Sequence, residues 1–236
     1  MFAAEAESFF SRILATWFFF TMFAFFAAAL LPGLLTVPAV IACMGLTYWC
    51  VDCAYRTERF GRFAAFRLFS ILGLAPVIGF VCALMTASKE LKLGPLLSVA
   101  FGCIPVIIAV VAYLAVYQWC GQHNDLVVRG QRVEVAEVAP RRGSTVMLSG
   151  LAAGLSSMIY PMVKSHNIST VALVLAVVAL SLFVIFYYRN NIAAFRELKE
   201  RETRERCHYT FMNVEEIRER RVASLLGRIF AVRTRR

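Results

Sequence analysis

Long apolar runs separated by short polar segments constrain this chain more than any other feature. The runs cover about residues 13–31, 34–51, 68–86, 95–117, 145–163 and 168–188. Each is about 18–23 residues long, which at a helical rise of about 1.5 Å matches a hydrocarbon core about 30 Å thick. Backbone groups find no water there, so such a segment must be helical. The sequence therefore predicts an all-α integral membrane protein with six transmembrane helices.

Composition agrees with this class. Of the 236 residues, 60% are hydrophobic, whereas soluble domains have about 45–50% apolar residues. The net charge of +10 would suggest nucleic acid in a soluble protein. Here the positive residues lie between and after the apolar runs, so membrane orientation explains them better, and a nucleic-acid partner is not expected.

The arginines predict the orientation. All 21 lie before the first run, in the second and fourth connections or after the last run, whereas three of the four lysines lie in the other connections. Positive residues favour the cytosolic side, so both termini are predicted to be cytosolic. Ala27-Ala28-Ala29 resembles a signal-peptidase site, but the acidic Glu5 and Glu7 favour an uncleaved span. We expect a bacterial inner membrane, with an organelle membrane as the alternative.

The predicted cytosolic parts are a hairpin and a basic tail. Short apolar stretches flank Gly130 in the 118–144 loop, which predicts a small β-hairpin. Residues 1–188 form the membrane domain, and the helical tail, 189–236, has thirteen Lys/Arg and seven Glu, a net charge of +6. Its second predicted helix follows Asn213 as N-cap and is amphipathic, so it could lie on anionic membrane lipid or dock on a protein partner. The residues expected to do so are Arg218, Arg221, Leu225, Leu226, Arg228, Ile229 and Phe230, with the arginines opposite an apolar face that includes Ile217.

Two cysteine-containing pairs suggest a metal site. Cys50-x-x-Cys53 ends the second run and Cys120-x-x-His123 ends the fourth, each after a tryptophan. Four such ligands at one depth could bind zinc tetrahedrally. The alternative is that they are interfacial thiols beside belt aromatics, with a solvated histidine. A thiol oxidoreductase is disfavoured because the motif would face the reducing cytosol.

A repeated G-x-x-P-V-I motif marks the third and fourth runs, at Gly73 and Pro76 and at Gly102 and Pro105. Gly/Pro-interrupted spans in related positions are typical of transporter sites, so these four residues are a candidate translocation path. The simpler interpretation is that Gly and Pro are common in spanning helices. No ionisable residue falls inside a predicted span core, which argues against ion coupling.

Gly150 and Gly154 form a GxxxG motif in the fifth run, which favours close helix packing within the chain or in a homo-oligomer. Neither an HExxH nor a Gly-x-Ser-x-Gly motif is present. The sequence therefore favours a non-enzymatic subunit of a membrane assembly, docking partners through its basic tail and the 118–144 loop. The alternatives are a small channel or uncoupled transporter using helices 3 and 4, and a zinc or thiol enzyme at the cytosolic interface.

Overall fold

The computed structural model describes residues 6–119, 126–130, 132–135 and 170–224. Helices dominate this part of the chain. In chain order the elements are α1 (Ala6–Leu30), α2 (Thr36–Val51), a π-helical turn (Asp52–Arg56), α3 (Phe60–Leu72), α4 (Leu74–Met85), a second π-helical turn (Thr86–Glu90), α5 (Pro95–Trp119), β1 (Leu126–Arg129), β2 (Arg132–Val135), α6 (Thr170–Tyr187), α7 (Arg189–Glu205), β3 (Thr210–Phe211) and α8 (Val214–Ala223).

Several helices have the length and apolarity of membrane spans. Among the described residues these are Phe9–Leu30, Thr36–Arg56, Pro95–Trp119 and Thr170–Tyr187, and the bent pair α3–α4 makes a fifth if it is one span. They correspond to five of the six predicted runs, so the prediction of a mainly helical chain with several helices apolar enough to span a membrane is confirmed for the described residues. The predicted span 145–163, with Gly150 and Gly154, lies outside the described residues.

The third predicted span begins earlier than expected. The sequence predicts it from Leu68, after a basic loop, but α3 begins at Phe60, so Arg62 and Arg67 are helical. The reason is the spacing of Phe60, Phe63 and Phe66, which places three buried rings along the helix. Burial of these three rings stabilises the extra helical turns. The arginines between them do not oppose this, because arginine is a good helix former.

Between α3 and α4 the helix bends by 41° at Gly73. Pro76 lacks a backbone N–H and its ring crowds the carbonyl one turn earlier, so the helix cannot continue straight. A Cβ on Gly73 would lie 2.6 Å from the Phe69 carbonyl oxygen and 3.3 Å from the Phe20 ring. Glycine therefore allows the tight bend and the close approach of α1.

The predicted hairpin is confirmed. β1 and β2 are antiparallel, with Arg129 opposite Arg132, and Gly130 in the turn has a φ of +61°. This left-handed conformation favours glycine. The sheet has a third strand that the sequence did not predict, because β2 also pairs in parallel with β3 of the tail, Val133 facing Phe211.

The described part of the tail, residues 189–224, is mainly helical, as predicted, and it folds back on the apolar helices. We call α7, α8, β3 and the hairpin the cap. The cap covers the end of the bundle formed by the start of α1, the end of α2, the start of α3 and the end of α5. The opposite end carries Glu90 and Thr170, whose side chains are hydrogen-bonded to each other.

Candidate functional site

An aromatic cluster joins the cap to the membrane helices. The Phe211 ring packs edge-on against Phe9, Phe60 and Phe63, with ring centroids 5.4–5.9 Å apart, and Phe9 stacks on Phe63 at 5.0 Å. All four rings are at most 3% exposed. In edge-on packing the positive edge of one ring meets the negative face of another, which stabilises the cluster beyond the burial of its apolar area. The tail is thus part of the hydrophobic core.

The backbone of the tail also completes the start of α3. The Phe60 N–H donates to the Tyr209 carbonyl oxygen at 2.9 Å, and Arg59 forms a β-bridge with Thr210. A first-turn N–H has no acceptor within its own helix, so the tail supplies one. The Tyr209 side chain is fully buried and its hydroxyl donates to Glu205 at 2.7 Å. Burial and this hydrogen bond raise the pKa of Tyr209 to about 12.

Arg196 of α7 fixes the end of α5. Its Nη1 donates to the carbonyl oxygens of Tyr117 and Gln118, both at 3.0 Å, and its guanidinium lies 5.8 Å from the Tyr117 ring centroid. The last carbonyls of a helix lack partners within it and carry partial negative charge, so a guanidinium stabilises them. Because α7 follows α6 after Tyr188 alone, this contact ties the ends of two spans together.

α8 is held by a buried arginine. Arg221 is 4% exposed and its Nη2 donates to the carbonyl oxygens of Thr57 at 2.8 Å and Cys53 at 3.3 Å. Burial lowers the pKa of Arg221, and the negative charge of Glu58 opposes that effect. Arg221 was expected on the face opposite Ile217, but both residues are buried and Ile217 lies one turn earlier in the same helix.

Ion pairs at the edge of the cap also join segments that are far apart in the sequence. Arg218 binds Glu58 in bidentate fashion at 2.5 and 2.6 Å. The hydrogen bond from Arg218 lowers the pKa of Glu58, against the opposing effect of burial. Arg132 of the hairpin binds Glu215 at 2.5 Å and the Met212 carbonyl at 3.2 Å. The hairpin and the tail are therefore one unit.

Two buried carboxylates lie where α7 meets the rest of the chain. Glu197 and Glu202 are each 8% exposed and bind Arg201 and Lys199, but each has one oxygen without a hydrogen-bond partner. A Cβ on Gly61 would lie 2.9 Å from a Glu202 oxygen. Glycine near the start of α3 thus gives this carboxylate room close to the positive end of the helix dipole.

The structure describes two of the four proposed zinc ligands. Cys50 and Cys53 are buried, and the Cys53 thiol donates to the Arg62 carbonyl at a long 4.0 Å. Cys120 and His123 lie outside the described residues. Within those residues no group of three or more His, Cys, Asp or Glu side chains could hold a metal ion. The four-ligand zinc site stays a prediction.

The four candidate path residues do not share one cavity. Gly73 and Pro76 line an apolar cavity of about 360 Å³ between α3, α4, α5 and α6. A Cβ on Gly102 would touch the Phe80 ring at 3.2 Å, and the Pro105 ring lies where a Cβ on Gly79 would meet it at 3.0 Å. Among the described residues lining the cavity, only the Tyr113 side chain carries a polar group. The arrangement is that of close helix packing, and a translocation path stays a prediction.

Of the tail residues expected to meet lipid or a partner, Arg218 and Arg221 bind within the chain, and Leu225, Leu226, Arg228, Ile229 and Phe230 lie outside the described residues. No protein-family model matches the chain, and no curated protein or solved structure is significantly similar to it. Function must therefore be inferred from the chain itself.

Proposed function

We propose that this chain is a non-enzymatic, multi-pass subunit of a membrane assembly, and that its cap docks the partner. The observation that carries the proposal is that the hairpin and the tail, the two elements expected to dock, pack together as one unit. Parallel pairing of β2 with β3 and the Arg132–Glu215 ion pair join the hairpin to the tail. A docking surface needs such rigidity, because ordering flexible side chains and loops weakens binding.

The charged groups of the cap support a scaffold role. Arg196, Arg218 and Arg221 are engaged in holding helices α7 and α8 to the membrane domain. Outward-facing groups remain: Arg204 of α7 and Arg206 just after it are exposed, and Val222 of α8 is 67% exposed. Exposed basic and apolar groups on one cap suit a partner that offers both acidic and apolar groups.

The same proposal includes six crossings with both termini in the cytosol of a bacterial inner membrane. Val135 ends β2 in the cap, whereas Thr170 begins α6 beside Glu90 at the opposite end. An odd number of crossings between these residues agrees with one span, 145–163. The arginine-rich cap on the cytosolic side agrees with the charge rule.

Site-specific photo-crosslinking in cells tests the docking role. A benzophenone side chain at Val222 should capture one protein of defined mass, identified by reciprocal tagging. The same probe at Met44, which is 61% exposed on α2, should capture lipid. Arg221→Met, which loosens α8, should reduce the Val222 product. A second copy of the chain at Val222 would mean a homo-oligomer, and lipid alone would refute docking by the cap.

Trypsin tests the orientation. Arg204 and Arg206 are exposed near the end of α7. Cleavage there should occur in inside-out vesicles and not in sealed right-side-out vesicles. The reverse pattern would place the cap outside the cell and refute the proposed topology.

A further inference from the structure

A long groove lies on the outer face of α2, beside α1, and has a volume of about 600 Å³. Its lining runs from Thr36 to Arg56, a 21-residue segment with the length and apolarity of a membrane span. Val40, Met44 and Tyr48 line it at four-residue spacing and are 49–64% exposed, so they form an outward-facing stripe of the helix. Among the described residues that line the groove, only Arg56 carries a charge.

The first π-helical turn, Asp52–Arg56, determines which residue ends this stripe. Two α-helical turns after Tyr48, the residue on the same face would be Tyr55. A π-helical turn has hydrogen bonds between residues five positions apart and so contains one extra residue. Arg56 therefore lines the groove, whereas Tyr55 packs against the Phe10 ring of α1, with ring centroids 5.7 Å apart.

The charge of Arg56 has no counter-ion within the described part of the chain. Its side chain is exposed, and the two carboxylates nearest to it in sequence are bound by other arginines. Asp52 binds Arg62 at 2.6 Å, and Glu58 binds Arg218. A phosphate group matches the planar fork of arginine and accepts several hydrogen bonds at once. A guanidinium at the end of an apolar groove therefore suits a phosphate that carries an apolar chain.

We propose that the groove binds one anionic phospholipid, with its phosphate on Arg56 and an acyl chain along Tyr48 and Met44. Arg56 ends a helix of spanning length, which places its guanidinium near the depth of the lipid phosphates. One leaflet supplies about 15 Å of hydrocarbon, or about ten residues at helical rise. The chain should therefore extend past Tyr48 and end near Met44, and the half of the groove that begins at Thr36 should not contact it.

The simpler alternative is that Arg56 extends its guanidinium into water along an apolar stem, while any neighbouring lipid covers the groove. The π-helical turn favours the specific site, because such turns are frequent at functional sites and this one aligns Arg56 with the apolar stripe. The site is separate from the partner surface at Val222 and does not depend on the proposed docking.

Photo-labelling of the full chain in phosphatidylcholine nanodiscs tests the site. The probe is phosphatidylglycerol with a diazirine in the middle of one acyl chain, and mass spectrometry locates the label. Label should concentrate at Met44 and Tyr48. Arg56→Gln should reduce it about fivefold, because one basic contact to the lipid headgroup is lost. The matched control is Arg189→Gln, which removes an exposed arginine that does not line the groove, and it should change labelling less than about twofold.

Three results would overturn the site. Equal losses in Arg56→Gln and Arg189→Gln would show only general attraction of the lipid to a basic surface. Labelling that Arg56→Gln leaves unchanged, or that a phosphatidylcholine probe matches in both proteins, would show ordinary boundary lipid. Competition by millimolar inorganic phosphate would show an anion site that does not need the acyl chain. If Arg56→Gln does not fold, Arg56→Lys replaces it, with an expected loss of about twofold to threefold because lysine keeps the charge and lacks the fork.

Discussion

Replacing Arg221 by methionine should release α8 from the membrane domain. The guanidinium satisfies two backbone carbonyls at 2.8 and 3.3 Å in a site where the residue is 4% exposed. Methionine keeps the apolar stem, so the change isolates the hydrogen bonds and the charge. Because neither carbonyl then has a donor, the end of the first π-helical turn loses its link to the tail.

The magnitude follows from two opposing effects. A hydrogen bond to a charged group contributes about 1.5–3 kcal/mol, and the 3.3 Å contact lies at the weak end. Removing a buried charge recovers part of its desolvation cost, which the lowered pKa of Arg221 reveals. We expect a net loss of about 2 kcal/mol, which corresponds to about 30-fold more frequent opening of α8.

Hydrogen–deuterium exchange of the full chain in nanodiscs measures that opening. Amides of residues 217–224 should exchange about 30-fold faster in Arg221→Met, while those of α4 and α5 should not change. Arg204→Met is the control, because Arg204 is exposed on α7 and its replacement should have little effect. Unchanged exchange in Arg221→Met, or an equal increase in Arg204→Met, would show that the buried guanidinium does not hold α8.

Three further predictions concern pH, packing and metal. Glu58→Gln should weaken the docking of α8 by only about 0.5–1 kcal/mol, because the Glu58–Arg218 ion pair is partly exposed. The pKa of Glu58 in the folded protein is lowered from its ordinary value of 4.5, so the stabilisation by this ion pair is complete above pH 4.5 and is lost as the pH falls through the folded pKa. Hydrogen–deuterium exchange of the wild type at pH 3–7 would show this loss. Gly79→Ala places a Cβ 3.0 Å from a proline ring, whereas a Cβ on Gly45 meets nothing within 4 Å. The former should cost about 1–3 kcal/mol and lower the Tm in detergent, and Gly45→Ala should leave it unchanged or raise it. If the zinc site exists, purified protein should carry about one zinc per chain and lose it in Cys50→Ser, and less than about a tenth of an equivalent in the wild type would refute it.

The sequence predicts local features of this fold well. Apolar runs identify the spans that the structure describes, and Gly130 between valine-rich stretches identifies the hairpin, because both signals depend on neighbours in the chain. Asn213 likewise precedes α8 as expected. Periodicity within a segment suffices for such predictions.

The cap could not be predicted in the same way. Its contacts join residues far apart in sequence: Glu58 and Arg218 are 160 positions apart, and Arg132 and Glu215 are 83 apart. One available signal was missed, since the three-residue spacing of Phe60, Phe63 and Phe66 indicates a helix beginning before Leu68. Arg67 was consequently expected in the basic loop before Leu68, whereas it lies within α3.

The cap also sets the order in which the protein can be completed. The first turn of α3 obtains its hydrogen-bond acceptor from Tyr209, and Phe63 obtains its ring partner Phe211 only from the tail. During synthesis these groups must wait, unpaired, until the last span is inserted and the tail has left the ribosome. In the proposed topology, a chain that inserts one span too few would leave its tail on the opposite side of the membrane from the start of α3 and expose this aromatic cluster. Closure of the cap therefore requires that the tail reach the same side of the membrane as the start of α3, and a chain in which it cannot close would leave Phe60 and Phe63 without their tail partners.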